Sequence, residues 1–128
     1  EGRVPVATGE LEYTIHGFRE LMQRQATDIV QPDVGRLGGI TEWMKVAHLA
    51  QAFNLPIAPH YFAVVHLHLA MCIPNLMVVE MLSIDMHSNP VWYTDVPKLK
   101  DGQMAPFADR PGLGLELRPD TVKKHALD

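Results

Sequence analysis

The feature that most limits how this chain can fold is an alternation. From the first residue to about Ile84, the short apolar runs "RVPVATGE", "DIVQPD", "LPIAPH" and "LMVVEML" are separated by longer segments with helical spacing. In "TIHGFRELMQRQA", Ile15, Phe18, Leu21 and Met22 recur on one face, with Arg19, Glu20, Gln23 and Arg24 between them, which predicts an amphipathic helix. In "ITEWMKVAHLAQAFN" the expected buried face is Trp43, Val46, Ala47, Ala50 and Phe53, with Glu42, Lys45 and Gln51 off it. "VVHLHLAMCI" reads as a short apolar helix stopped by Pro74 and Asn75. Near-continuous apolar strands are those covered on both faces, as in parallel sheets. Strands alternating with helices imply right-handed βαβ units, so the expected class is α/β.

Past Met86 the texture changes. "HSNPVWYTDVPKLKDGQMAPFADRPGLGLELRPD" is rich in Pro, Gly and Asp, with "KDGQ" expected to turn and "LGLEL" to form a short strand. There is no internal repeat beyond the βα unit and no low-complexity segment.

The residues at the carboxyl ends of the predicted strands are Glu10, Asp33, His60 and Glu80. All four are ionisable, and in a parallel β/α barrel those ends converge on the face where active sites are built. A carboxylate beside an imidazole fixes its tautomer and stabilises the imidazolium, so Asp33 and His60 read as a dyad. Glu10 is a hard oxygen donor of the kind Mg²⁺ prefers, though a capping role at the following helix suits it as well. Glu80, inside an apolar run, must be hydrogen-bonded or held protonated as a donor.

Rival readings attach to several of these positions. Asp33 precedes the Gly-rich "VGRLGG" and could serve only as a turn residue. That loop could cradle a phosphate at a helix N-terminus, but it lacks the established phosphate-binding patterns and reads as a tight βα connection. His66 and His68, two positions apart on a helix, point to different sides and read as packing or surface residues, not zinc ligands. Met22, Met44, Met71, Met77 and Met81 read as core filling.

Composition narrows the partners. The 128 residues are 47% hydrophobic, enough for a core of ordinary density. The net charge of -4 contains no basic run, which argues against nucleic acid or an anionic membrane surface and for a small molecule or a protein. One cysteine, Cys72, cannot form an internal disulfide, and a reducing, cytoplasmic setting fits. No apolar stretch is long enough to span a bilayer, no secretory signal opens the sequence, and it begins inside a predicted strand without an initiator Met. A longer polypeptide is therefore expected.

With these residues in place, the runs "VATGE", "DIVQPDVGRLGGITEWMKVAHLAQAFNLPIAPH" and "HLHLAMCIPNLMVVE" resemble the carboxyl-terminal half of the barrel of the enolase superfamily, in its mandelate racemase-like branch. The resemblance implies a TIM-type (β/α)7β barrel, of which residues 1–85 form the second half. The tail "DGQMAPFADRPGLGLEL" is similar to the segment that leads such chains back toward a capping domain, so residues 86–128 are expected to pack on a capping domain absent from this chain. In that family a carboxylate substrate chelates Mg²⁺, a base removes the proton alpha to the carboxylate, and the metal stabilises the enediolate. By motif, Glu10 matches the third metal ligand, Asp33 and His60 the Asp-His dyad, and Glu80 the acid that hydrogen-bonds the substrate carboxylate. The chain lacks the first half of the barrel, with the other two metal carboxylates, the lysine-bearing strand and the capping domain. A half-barrel leaves open edges, so the working unit is expected to be a longer chain or a complex, and the family implies homo-oligomers.

The resemblance favours a Mg²⁺-dependent lyase that dehydrates an acid sugar of the galactarate or talarate type. Racemisation or epimerisation of a 2-hydroxy acid is the second enzymatic reading, and a catalytically incomplete fragment that needs its missing half is the non-enzymatic one. The muconate-cycloisomerase branch fits less well, because it carries a lysine where the dyad stands here.

Overall fold

In the computed structural model, which describes residues 4–127, the apolar runs pair in parallel and in chain order. Strand β1 (Ala7–Thr8) lies beside β2 (Ile29–Val30) in the register Ala7↔Ile29 and Thr8↔Val30. Val30 bridges in parallel to Ile57, and Ile57 to Leu76. The ladder continues through Val30 N–H to the Pro56 carbonyl (2.9 Å), Ala58 N–H to Val30 (3.0 Å), Ile57 N–H to Asn75 (2.8 Å) and Met77 N–H to Ile57 (2.8 Å). All four predicted strands are thus adjacent in the expected order. They are much shorter than the apolar runs suggest, for Pro5, Pro32, Pro56, Pro59 and Pro74 flank the paired residues and have no N–H to give to a ladder. The Arg3 start of the first predicted strand lies outside the described residues.

The fourth run departs most from expectation. Met77 and Val78 are 56% and 51% exposed, and Met71, at the end of the third helix, is 71% exposed. Burial on both faces needs a covering layer, and among the described residues no strand pairs beyond Leu76. Of the methionines read as core filling, only Met22 is fully buried, with Met44 packed partly against the core.

Helices α1 (Ile15–Gln23), α2 (Ile40–Ala52) and α3 (Ala63–Ala70) occupy the predicted intervals. Phe18 and Met22, four residues apart, turn inward from α1, as do Trp43, Val46, Ala47 and Ala50 from α2. Together with Val30, Val34, Leu37, Ile57, Leu69 and Ile73 they form one buried cluster. Fully burying one such side chain stabilises the fold by about 1.5–3 kcal/mol. Phe53 was expected on the inner face of α2 but is 39% exposed, because it stands at the C-cap where the helix has already stopped.

Both α1 and α2 end in a Schellman motif. After α1, Gln25 adopts φ 52°, with Gln25 N–H bonded to Met22 and Ala26 N–H to Leu21. After α2, Asn54 adopts φ 58°, with Asn54 N–H bonded to Gln51 and Leu55 N–H to Ala50. These bonds satisfy carbonyls that a helix end otherwise leaves unpaired and redirect the chain into the next strand.

The chain divides into two compact units, Glu1–Glu80 and Met81–Asp128. The second contains α4 (Ser83–Trp92) and α5 (Pro119–His125), where an irregular tail was expected. Pro90 falls in the last turn of α4. The expected turn at "KDGQ" is present, closed by reciprocal backbone bonds between Lys100 and Gln103. The expected strand "LGLEL" is reduced to one antiparallel bridge between Leu117 and Tyr93.

Candidate active site

All four ionisable strand ends lie in the first unit; the structure joins Glu10, His60 and Asp33 through their side chains and ties Glu80 to the backbone next to His60. His60 occupies the centre. Its Nδ1 is 2.9 Å from Asp33 Oδ2, and its Nε2 is 2.9 Å from Glu10 Oε2. The imidazole is 15% exposed, Asp33 only 2% and Glu10 45%, so the pair is sheltered on the Asp33 side and open on the Glu10 side.

Asp33 resolves a choice that spacing leaves open. Its Oδ1 accepts the backbone N–H groups of Gly35 (2.7 Å) and Arg36 (3.2 Å), which makes it the turn residue of the loop after β2. Its Oδ2 faces His60 Nδ1. One carboxylate fills both roles with separate oxygens, and the turn fixes the rotamer that aims Oδ2 at the imidazole. Arg36 adds positive charge, its Nε 3.9 Å from Asp33 Oδ2 and its Nη1 donating to the Glu10 carbonyl at 3.4 Å. Glu10 is delivered by Gly9, whose φ of 130° and close approach to Phe18 exclude a side chain. A Cβ there would stand 2.5 Å from the Phe18 ring.

Glu80 closes the network from the fourth strand end. Its Oε2 accepts the Tyr61 backbone N–H at 3.0 Å, and Oε1 lies 3.5 Å from Gln31 Nε2. Of the two states expected, Glu80 here takes the hydrogen-bonded one, as acceptor. The segment it grips is strained. Tyr61 and Phe62 have φ of 56° and 42°, left-handed values that bulky residues rarely adopt and that cost about 1–3 kcal/mol each. They follow His60 directly, and they turn the chain from the third strand end into α3.

A further residue, His66 on α3, belongs to this region although spacing gave it only a packing role. It has no exposed surface. Val34 N–H donates to its Nε2 at 3.2 Å, and its Nδ1 lies 2.7 Å from the Tyr61 carbonyl. Burial pushes its pKa below the ordinary value, against a smaller opposing effect of the Tyr61 carbonyl. No sequence signal marks it, since its partners are backbone groups, one in the turn just before α3 and one in the loop after β2. His68 is half-buried on another side of the helix.

Glu10 matches magnesium in kind, being a half-exposed hard-oxygen donor, and falls short in number. Glu10 and Asp33 sit on opposite edges of the His60 ring, so their oxygens do not converge on one point. Among the described residues no group of three or more His, Cys, Asp or Glu side chains is arranged to hold a metal ion. Among the described residues, the site therefore offers Glu10 as a single exposed carboxylate. No helix among the described residues is long and apolar enough to cross a membrane.

Comparison with known proteins identifies the family of the fold. D-xylonate dehydratase of Haloferax volcanii is 33% identical over 133 residues, covering 97% of this chain and 31% of that protein. The crystal structure of L-talarate dehydratase from Polaromonas sp. JS666, complexed with Mg and L-glucarate, superposes with a TM-score of 0.83 at 33% identity, over 96% of this chain and 33% of that one. L-talarate/galactarate dehydratase from Salmonella typhimurium LT2, liganded with Mg and L-lyxarohydroxamate, gives a TM-score of 0.80 at 33% identity, over 93% of this chain and 29% of that one. The chain therefore spans about a third of the length of these relatives. The family model described as Enolase C-terminal domain-like matches residues 1–121. A parallel β/α layout that gathers Glu10, Asp33, His60 and Glu80 at its strand ends, matched over nearly its whole length, belongs to the Enolase C-terminal domain-like family.

Proposed function

We propose that the protein containing this chain is a magnesium-dependent lyase that removes the proton alpha to the carboxylate of an acid sugar and expels the beta hydroxyl as water, leaving a 2-keto-3-deoxy acid. The observation that carries the proposal is the 2.9 Å contact between Asp33 Oδ2 and His60 Nδ1 at a face shared with Glu10 and Glu80. Relatives named as dehydratases of xylonate, talarate and galactarate support the substrate class.

Asp33, locked by its turn, keeps His60 Nδ1 as the nitrogen that holds its proton. Nε2 is then the atom that exchanges one with substrate. In the dehydration, Nε2–H protonates the departing hydroxyl while the electrons of the broken alpha C–H bond form the enediolate and then expel that group. A base outside this chain takes the alpha proton, and the resulting enol becomes the ketone. Glu80 fixes the backbone after His60 through Oε2, and as an acid it would donate a hydrogen bond to the substrate carboxylate. Glu10 would be one magnesium ligand, and an ion held there would supply positive charge to offset the charge that develops on the substrate carboxylate. The proposal includes a cytoplasmic homo-oligomer of the full-length chain, checked by light scattering.

The test is NMR of a sugar-acid panel in D₂O with Mg²⁺ and the full-length protein. The expected result is a 2-keto-3-deoxy product. In an Asp33→Asn protein the turn oxygen survives but an NH₂ group faces Nδ1, reversing the tautomer, and turnover falls roughly 10²- to 10⁴-fold. Alpha-proton exchange with inversion and no dehydration would replace this reading by racemisation. Neither exchange nor product from any acid would overturn it.

A further inference from the structure

His66 is buried, hydrogen-bonded at both ring nitrogens, and used by no step above. Its two partners define its chemical state. A backbone amide can only donate, so Nε2, which receives Val34 N–H, carries no proton. A carbonyl can only accept, so Nδ1, 2.7 Å from the Tyr61 oxygen, carries the ring's single proton. The neutral Nδ1–H tautomer satisfies both contacts; the other tautomer satisfies neither, and the imidazolium would place a proton against the Val34 N–H.

What the ring joins matters more than its state. Val34 is the residue after Asp33, and Tyr61 is the residue after His60. The His66 imidazole thus bridges the two loops that carry the dyad, whose side chains meet at 2.9 Å. It also grips the strained turn. The Tyr61 carbonyl accepts from the His66 ring, the Phe62 carbonyl accepts from the His66 backbone N–H at 3.0 Å, and the Tyr61 N–H is taken by Glu80. Left-handed conformations at two adjacent aromatic residues persist only when their surroundings over-determine them; the His66 ring holds the Tyr61 carbonyl, while the Phe62 carbonyl is held by the first main-chain N–H groups of α3, from Val65 (2.9 Å) and His66. Phe62 in turn packs over the Asp33 loop, where a Cβ on Gly35 would meet its ring at 3.2 Å. The bridge, the strained turn and the dyad form one mechanical unit.

We propose that His66 is a positioning residue: a buried neutral strut that sets the distance between the Asp33 loop and the His60 loop and so maintains the hydrogen bond between Asp33 and His60. This deepens the functional reading, since it rests on that pair being the working pair. A histidine that merely fills the core with satisfied hydrogen bonds would leave the dyad unaffected when replaced by an apolar ring.

The experiment uses the full-length protein with ¹⁵N-labelled histidine. Without substrate, His66 is expected to show one protonated Nδ1 and one bare Nε2, and His60 a downfield Nδ1 proton from its bond to Asp33. In His66→Phe, which keeps a ring of similar size and removes both hydrogen bonds, the His60 signal should disappear. In the same variant kcat on the sugar acid should fall at least 10-fold with KM changed less than 3-fold. His66→Asn, whose amide nitrogen can still reach the Tyr61 carbonyl, should recover part of both. A folded His66→Phe protein with an unchanged His60 signal and unchanged kcat overturns the proposal. If His66→Phe does not fold, His66→Asn decides by the same two readouts, and if neither folds, an Nε2–H or doubly protonated His66 in the unaltered protein overturns it. Failure of the functional reading is distinguishable: with no sugar acid turned over, loss of the His60 signal in His66→Phe still upholds the strut.

Discussion

The two units of this chain are ordered by different forces. In the first, every buried hydrophobic side chain lies between Phe18 and Ile73, with Trp43 and Phe18 at 0% exposure. In the second, the buried positions among the described residues are Asp85, Pro97 and Gly114, none of them a large apolar side chain. Its elements are tied by polar groups to backbone oxygens. Arg118 Nε donates to the Pro90 carbonyl (2.7 Å) and the Tyr93 carbonyl (2.9 Å), Thr121 donates to the Val91 carbonyl (2.7 Å), and Arg110 pairs with Asp95 (2.7 Å) while lying 3.6 Å over the Phe107 ring. Exposed ties of this kind contribute little each. The unit with the apolar core is the one that carries the strained turn and the site, because only dense packing can hold unfavourable backbone against relaxation.

The two tryptophans test this contrast, one in each unit. The largest effect is expected at Trp43, which is fully buried and donates from Nε1 to the Pro32 carbonyl at 3.4 Å. Trp43→Ala should cost about 3–5 kcal/mol by leaving a cavity and should detach the turn that holds Asp33, read as loss of cooperative unfolding in urea. A cost under about 1 kcal/mol would show that the core is not what orders the first unit.

An intermediate effect belongs to His66 and its burial. Its folded pKa lies below the ordinary 6.5, so between the two values the unfolded chain binds more protons and stability rises with pH. Stability should therefore fall as pH drops below about 6.5, and His66→Phe should lack that share of the acid slope. Equal slopes for the two proteins in denaturant titrations at matched pH would place the acid sensitivity elsewhere.

The smallest effect is expected at Trp92, 41% exposed in the second unit and tilted against His125 at 5.5 Å between ring centroids. Trp92→Ala should shift stability by no more than about 1 kcal/mol, within the range of ordinary surface substitutions. A loss matching that of Trp43→Ala would erase the distinction between the units.

Much of the first unit is legible in the sequence because burial writes a period into it. The spacing of Phe18 and Met22, and of Trp43, Val46, Ala47 and Ala50, predicts two inner faces that the structure shows. Three strand ends are legible for a related reason, as their apolar runs stop at Glu10, Asp33 and His60, whereas Glu80 interrupts its run. Strand length was not, since pairing depends on what lies alongside, and Met77 and Val78 are apolar yet exposed. Helix α5 carries almost no apolar period. Its signals are local ones, Pro119 at the start, Asp120 in the first turn and Lys123, Lys124 and His125 in the last, and the Pro and Gly nearby mask them. His66 was illegible for a deeper reason: its partners are main-chain atoms of residues 34 and 61, and main-chain hydrogen bonds leave no trace in side-chain spacing.

The in-order pairing of the strands bears on how the chain is made. Thr8 meets Val30, Val30 meets Ile57, and Ile57 meets Leu76. Each strand docks on the one synthesised just before it, so no segment of this ladder waits for a partner far downstream. A chain leaving the ribosome can add one βα unit at a time, closing loops of similar modest size at each step. The His60 turn is the exception. Its restraints come from His66 and from Glu80, both translated after it, and so the candidate site is the last part of the ladder that synthesis can complete.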